Sequence, residues 1–348
     1  MSSAPANESR WVEGLGEYLS ARFRARCRCE GVQRLSGGWS RTTLLVRIAD
    51  AGGAALPNEL IVRAETKGGL LDTPLAQEYA VLEALQGTAV PVPELYGFEP
   101  GPEPLGMPFI LMEKVAGSVP SLWRSRDRQW IAREPLRSRV AEQFVNALAA
   151  IHEVDWRARG LGLLGVPPSG TGYADSQVAF WEDRYRRAKV EPAPVVEEAL
   201  VWMKVNLPSC DELVLVDGDY RVGNMVIGDD GIRAVLDWEL ATIGDPIRDL
   251  GYTTLEYLGG KFLEKGHFAC NGVMETDALV EAYERRTQRR VDAQALRFWQ
   301  VFGAFCLITI MQTGVREFLD GRNPDVRMAW GRYGCYALMD DIARLAEF

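Results

Sequence analysis

Three side chains able to act together on one reaction lie in a short stretch of this 348-residue chain: Asp219, Asn224 and Asp237, with gaps of five and thirteen. An apolar run, Leu213–Val216, delivers the chain to Asp217-Gly218-Asp219, and a second apolar run ends at Asp237 after the turn Gly228-Asp229-Asp230-Gly231. Each side chain thus falls at a strand end, where a rigid scaffold can hold catalytic groups. Carboxylate and carboxamide oxygens are hard donors suited to Mg²⁺, and a carboxylate can orient an attacking hydroxyl. Phosphoryl transfer from a nucleotide asks for little more.

Composition removes several other chemistries. Only His152 and His267 are present, so a multi-histidine metal site is excluded, and the six cysteines show no C-x-x-C pairing that would suggest a zinc knuckle or a disulfide framework. The 39 basic against 48 acidic residues leave a net charge of −9, which argues against a sequence-independent nucleic-acid binder. With 47% hydrophobic and 25% charged residues the chain can bury a sizeable core. The polar start and the shortness of the longest apolar run, Val301–Met311, lead to the expectation of a soluble cytoplasmic protein with no membrane partner. Oligomeric state is left open.

The elements that must position the three residues fall into two groups. A helix over about 11–26 precedes short β-branched segments at Thr43–Ile48 and Glu59–Arg63, read as an antiparallel pair. Leu75, Tyr79, Leu82 and Leu85 have helical spacing, and Pro108–Met112 reads as a strand. Beyond Gly117 the period becomes helical, at 139–154, 176–187, 195–205, 246–258, 276–286, 293–318 and 327–345, interrupted by the short strands of 213–238. The expected division is a nucleotide-binding lobe, residues 1–115, and a catalytic and acceptor-binding lobe, 116–348.

The stretch Gly218-Asp219-Tyr220-Arg221-Val222-Gly223-Asn224, followed by Asp237-Trp238-Glu239 and by Gly244-Asp245-Pro246 to Asp249-Leu250, resembles the aminoglycoside phosphotransferase-like branch of the protein-kinase fold. It is most similar to the kinase domains attached to acyl-CoA dehydrogenases. The resemblance, over about residues 30–320, implies an α+β, two-lobed protein-kinase-like fold with a small β-rich lobe and a larger helical one. It also implies an enzyme moving the γ-phosphoryl group of ATP or GTP to a hydroxyl of a small metabolite or antibiotic. On this likeness Asp219 is the catalytic base, Asn224 and Asp237 are the Mg²⁺ ligands, and Asp249 braces the loop. Where the family carries His before Gly-Asp, this chain has Asp217.

The upstream segment fits the same likeness. Gly37, Gly38 and Ser40 stand in a loop whose backbone could approach phosphates. Arg63 occupies the place of the kinase lysine, with Glu78 to hold it, and the backbone of Glu113 and Val115 would meet adenine. His152 is read as structural. An Arg-rich run from Arg124 to Arg139 is read mainly as a solvated face that could instead meet an anionic acceptor. Glu239, Asp245, Glu256, Asp340 and Asp341 could instead make an acidic acceptor pocket.

Two rivals remain. Asp217 motivates a nucleotide-binding pseudokinase with a regulatory role. Asp217-x-Asp219 with Gly244-Asp245 also resembles the acidic motifs of haloacid-dehalogenase-like phosphatases, but only 26 positions separate Asp219 from Asp245, and one crossover unit takes about 30 residues. The lone Gly160-x-Gly162-x-x-Gly165 is read as a loop, because Pro167-Pro168 block the helix that a dinucleotide site needs.

Overall fold

The computed structural model describes residues 4–35, 41–65, 73–259 and 270–348. The chain divides into two compact units, Met1–Gln86 with Val92–Ala116, and Gly87–Pro91 with Gly117–Phe348.

The first unit is built on a five-stranded antiparallel sheet of order β1-β2-β3-β5-β4, from β1 (Arg28–Arg34), β2 (Arg41–Asp50), β3 (Glu59–Glu65), β4 (Leu95–Glu99) and β5 (Phe109–Glu113). Period-two alternation turns Leu44, Val46 and Ile48 of β2, Leu60, Val62 and Ala64 of β3, and Phe109 and Leu111 of β5 into one core. Helix α1 (Ala4–Phe23) closes that core with Leu15 and Leu19, one turn apart. Arg63 projects from the other face of β3, where α2 (Leu75–Leu85) brings Glu78. The expected pair of strands is present with Thr43 opposite Arg63. β1 was not expected: an edge strand in which only Cys29 and Val32 are buried carries no strong apolar alternation.

Helices dominate the second unit: α3 (Ser125–Ile131), α4 (Leu136–His152), α5 (Gly172–Ala188), α6 (Pro194–Val205), α7 (Ile247–Thr253), α8 (Thr276–Thr287), α9 (Ala293–Leu319) and α10 (Val326–Ala346). α9 is long and apolar enough to cross a bilayer by composition, but it is largely buried against α5, α7 and α10. Its aromatic residues Phe298, Trp299 and Phe302 pack on one another in this core. Asp292 caps α9 by accepting the Ala295 N–H over 2.8 Å, and Asp325 caps α10 at Arg327 over 2.9 Å. The expected helix at 246–258 ends at Thr253 and resumes as a 3₁₀ turn, Glu256–Gly259.

Two small antiparallel ribbons interrupt the helices: β6 (Val214–Val216) with β9 (Thr242–Gly244), and β7 (Met225–Gly228) with β8 (Gly231–Val235). The piece Gly87–Pro91 belongs with them, since Pro91 accepts the Val235 N–H over 2.8 Å.

Candidate active site

The loop between β6 and β7 is held from behind by a buried carboxylate. Asp249 on α7 accepts the Asp217 N–H on Oδ2 and the Gly218 N–H on Oδ1, both over 2.8 Å. Its Oδ2 also stands 3.1 Å from His152 Nε2, while His152 Nδ1 meets the Tyr283 hydroxyl at 2.8 Å. Gly218 turns with φ +87°, and a Cβ there would stand 2.5 Å from the Leu240 carbonyl, so only glycine fits. Further along, the Val222 N–H donates to Asn271 Oδ1 over 2.9 Å, and Asn271 in turn donates to Thr253. The Tyr220 hydroxyl, buried, donates to the Phe144 carbonyl over 2.7 Å.

On this frame Asn224 Nδ2 donates to Asp219 Oδ2 over 2.6 Å and to the Asp219 carbonyl over 3.1 Å. That commits the amide nitrogen and leaves Oδ1 as the oxygen available to a cation. The Leu236 N–H donates to the Asn224 carbonyl over 2.8 Å, which brings the next residue, Asp237, to the same end of the ribbon. Asp237 has a left-handed backbone, φ +70°, a conformation Asp tolerates better than most residues and one that recurs at functional sites. The three residues singled out by spacing are therefore drawn together by side-chain and backbone hydrogen bonds. Among the described residues no three His, Cys, Asp or Glu side chains stand together as a metal cage. A pair such as Asn224 and Asp237 suits Mg²⁺, which takes one or two protein ligands and completes its shell with water and phosphate oxygens.

Asp217 stands where the family places His. Its Oδ1 accepts the Asp219 N–H over 2.9 Å, and its Oδ2 is buried without a hydrogen-bond partner. Burial, and next the nearby Asp249 charge, push its carboxyl well above the ordinary range.

Near the base, Tyr252 carried no signal in the sequence reading, and Arg221 entered it only as part of the loop motif. Arg221 Nε donates to Asp219 Oδ1 over 3.0 Å. Tyr252 on α7 is buried close by, its phenol pushed well above the ordinary value by burial and then by the Asp219 charge.

In the sheet unit, Arg63 Nε lies 2.5 Å from Glu78 Oε1, the expected pair. A second guanidinium, unexpected, shares the same carboxylate: Arg41 Nε is 3.5 Å from Glu78 Oε2 and its Nη1 is 3.7 Å from Glu65. Glu78 is buried, so two cations on its two oxygens fix its rotamer. The Glu113 N–H is taken by the Glu94 carbonyl over 2.8 Å, and Val115 is half-buried. Gly37, Gly38 and Ser40 lie outside the described residues.

Other expected charges have structural employment. Arg128 is buried and donates to the Leu122 carbonyl, Arg137 to Val273 and Arg139 to Asp229. Asp245 is buried, accepting from the Trp299 indole over 2.8 Å, and Asp341 and Glu256 both face Arg344. These three of the five acidic residues thus have partners within the protein. The β6–β9 pair is antiparallel, which removes the phosphatase alternative, whose acidic motifs need a parallel sheet.

Comparison with known proteins agrees with this geometry. Residues 31–299 match the family model described as "Phosphotransferase enzyme family". Acyl-CoA dehydrogenase family member 10 of Mus musculus is 29% identical over 299 residues, covering 82% of this chain and 26% of that protein. Member 11 of Rattus norvegicus is 29% identical over 274 residues, covering 76% and 34%. The chain thus spans about a third or less of these relatives. Among solved structures, a Ralstonia eutropha JMP134 protein provisionally assigned as an aminoglycoside phosphotransferase superposes with TM-score 0.73 at 24% identity, covering 96% of this chain and 98% of that one. A thermostable aminoglycoside phosphotransferase mutant in ternary complex with AMP-PNP and hygromycin B gives 0.60 at 17% identity, covering 94% and 98%. A macrolide 2'-phosphotransferase type I gives 0.60 at 18%, covering 98% of each chain. The fold is the two-lobed, kinase-like α+β fold expected from the loop motif. With its family model matched over most of its length and the motif residues gathered on one braced loop, the chain belongs to the phosphotransferase enzyme family.

Proposed function

We propose that this phosphotransferase moves the γ-phosphoryl group of ATP or GTP to a hydroxyl of a small molecule, with Asp219 as the base. The observation that carries the reading is the Asn224 carboxamide locked onto the Asp219 carboxylate over 2.6 Å, on a loop whose backbone Asp249 holds. Locking matters because the reaction depends on positioning: an acceptor oxygen aligned by a carboxylate within hydrogen-bond reach gains most of its advantage from orientation. Asp219 would take the hydroxyl proton as the oxygen–phosphorus bond forms. Asn224 Oδ1 and Asp237 would hold Mg²⁺, which when bound neutralises phosphate oxygens. Arg63, aimed by Glu78, would contact the nucleotide phosphates with a bidentate fork.

Asp217 does not disable this arrangement. It satisfies the Asp219 N–H and leaves the base, its amide partner and the brace in place, so a purely regulatory nucleotide binder is not favoured. The commitment of Asp245, Asp341 and Glu256 to internal partners favours an acceptor without several positive charges over a polycationic one. Incubating the protein with Mg²⁺, ATP or GTP and a panel of alcohols, and reading each acceptor by mass spectrometry for the gain of one phosphate, tests the reading. Transfer to an uncharged or anionic alcohol is expected. Tight nucleotide binding with no transfer to any alcohol would support the regulatory alternative.

A further inference from the structure

Helix α10 is apolar on two sides. On its inner side Met328, Cys335, Leu338 and Ile342 are buried, and the helix packs on α9 and α6. Gly331 and Gly334 let it come close: a Cβ on residue 331 would stand 3.2 Å from the Met311 carbonyl, and one on residue 334 would stand 2.5 Å from the Tyr257 hydroxyl. This close seating fixes the direction of the outward side. That side carries Val326, Trp330 and Tyr333, at spacings of four and three, exposed by 63%, 71% and 62%. The same alternation of four and three continues to the half-buried Ala337 and then to the exposed Asp340 and Arg344. The Trp330 and Tyr333 rings meet at 6.0 Å between centroids, and the exposed Tyr336 flanks them. Single exposed apolar residues are ordinary on a surface, but a helix that is apolar on both sides belongs in a buried setting. An apolar row with heptad spacing is the seam of a helix pair.

We propose that this face of α10 is the interface of a homodimer, in which two copies of the chain pair their α10 helices antiparallel about a two-fold axis. Two features choose a second copy as the occupant. The first is area. The exposed parts of Val326, Trp330, Tyr333 and Tyr336 amount to about 500 Å², the greater part of the about 800 Å² that a standard interface takes from each partner. The second is fit. An isologous interface needs a surface that is complementary to itself. With the axis beside Tyr333, Trp330 of each copy comes opposite Ala337 of the other, a large ring against a small side chain, and the two Tyr333 rings meet at the centre. Asp340 and Arg344 then fall at the two ends of the seam, where they form the charged rim that an apolar interface core carries.

Sedimentation velocity on the full chain, with folding checked by circular dichroism, tests the interface. At about 10 μM the intact protein should sediment as a dimer of the 38.7 kDa chain. Trp330→Glu should raise the dimer dissociation constant about 100-fold, as loss of a central aromatic anchor does. Val205→Glu on α6, where the native side chain is similarly exposed at 76%, should leave that constant unchanged within about twofold. Tyr333→Cys should give a covalent dimer on mild oxidation, seen by non-reducing electrophoresis, because the axis brings the two copies of residue 333 together, whereas Val205→Cys should not. An intact protein that stays monomeric at about 100 μM overturns the proposal, even if the face binds some other protein. So does a dimer that Trp330→Glu leaves as tight as before, or one in which Tyr333→Cys cross-links no faster than Val205→Cys.

Discussion

His152 Nε2 stands 3.1 Å from Asp249 Oδ2, with both side chains fully buried, and this contact ties the end of α4 to the residue that holds the catalytic loop. Asp249 accepts two backbone N–H groups besides, so its carboxylate carries three partners at once. Asp249→Asn replaces one acceptor oxygen with a donor that faces backbone N–H groups. It should lower stability by about 3 kcal/mol, because a buried charged partner is lost while its donors stay buried. Chemical denaturation measures this, and turnover should fall with it.

Asp217 gives a pH signature. Its carboxyl ionises near the ordinary value of about 4 in the unfolded chain and well above that value in the folded one. Its contribution to stability is therefore complete below about pH 4 and is lost as pH rises through the folded value. Asp217→Asn cannot ionise, and it keeps an acceptor for the Asp219 N–H. The melting temperature of Asp217→Asn relative to the unsubstituted protein should thus rise between pH 5 and pH 8. A constant difference across that range would show that Asp217 is ionised in the folded protein.

Arg63 and Glu78 form a hierarchy in the sheet unit. Arg63→Met should weaken ADP binding by about tenfold or more, since a charge-assisted bidentate contact to phosphate is removed. Glu78→Gln should weaken it less, because Arg63 survives but loses its 2.5 Å partner. Isothermal titration with ADP and with adenosine separates the two effects: adenosine affinity should change little in either variant.

The candidate site was legible in sequence to the extent that it is local. Asp219, Asn224 and Asp237 lie on one ribbon of consecutive residues, so their order and spacing survive in the chain as written. Arg41 and Asn271 were not legible, because Arg41 meets Glu78 across 37 positions and Asn271 meets Val222 across 49. No spacing rule links such pairs. Helices with an apolar face, such as α4 and α6, were placed within a few residues, whereas the edge strand β1 and the seven-residue α3 were missed, having too few buried positions to show a period. Arg221 belongs to the loop motif in the chain as written, but its contact with the base shows only in the geometry, where its Nε donates to Asp219.

Turnover of Asp219→Asn, measured beside its nucleotide affinity, tests the central claim most directly. The substitution preserves shape and removes the carboxylate that aligns the hydroxyl. The account predicts a fall in nucleotide-dependent phosphoryl transfer of about 10³-fold, with the dissociation constant for Mg²⁺–ADP unchanged within about twofold. Full nucleotide-dependent activity in Asp219→Asn would contradict it.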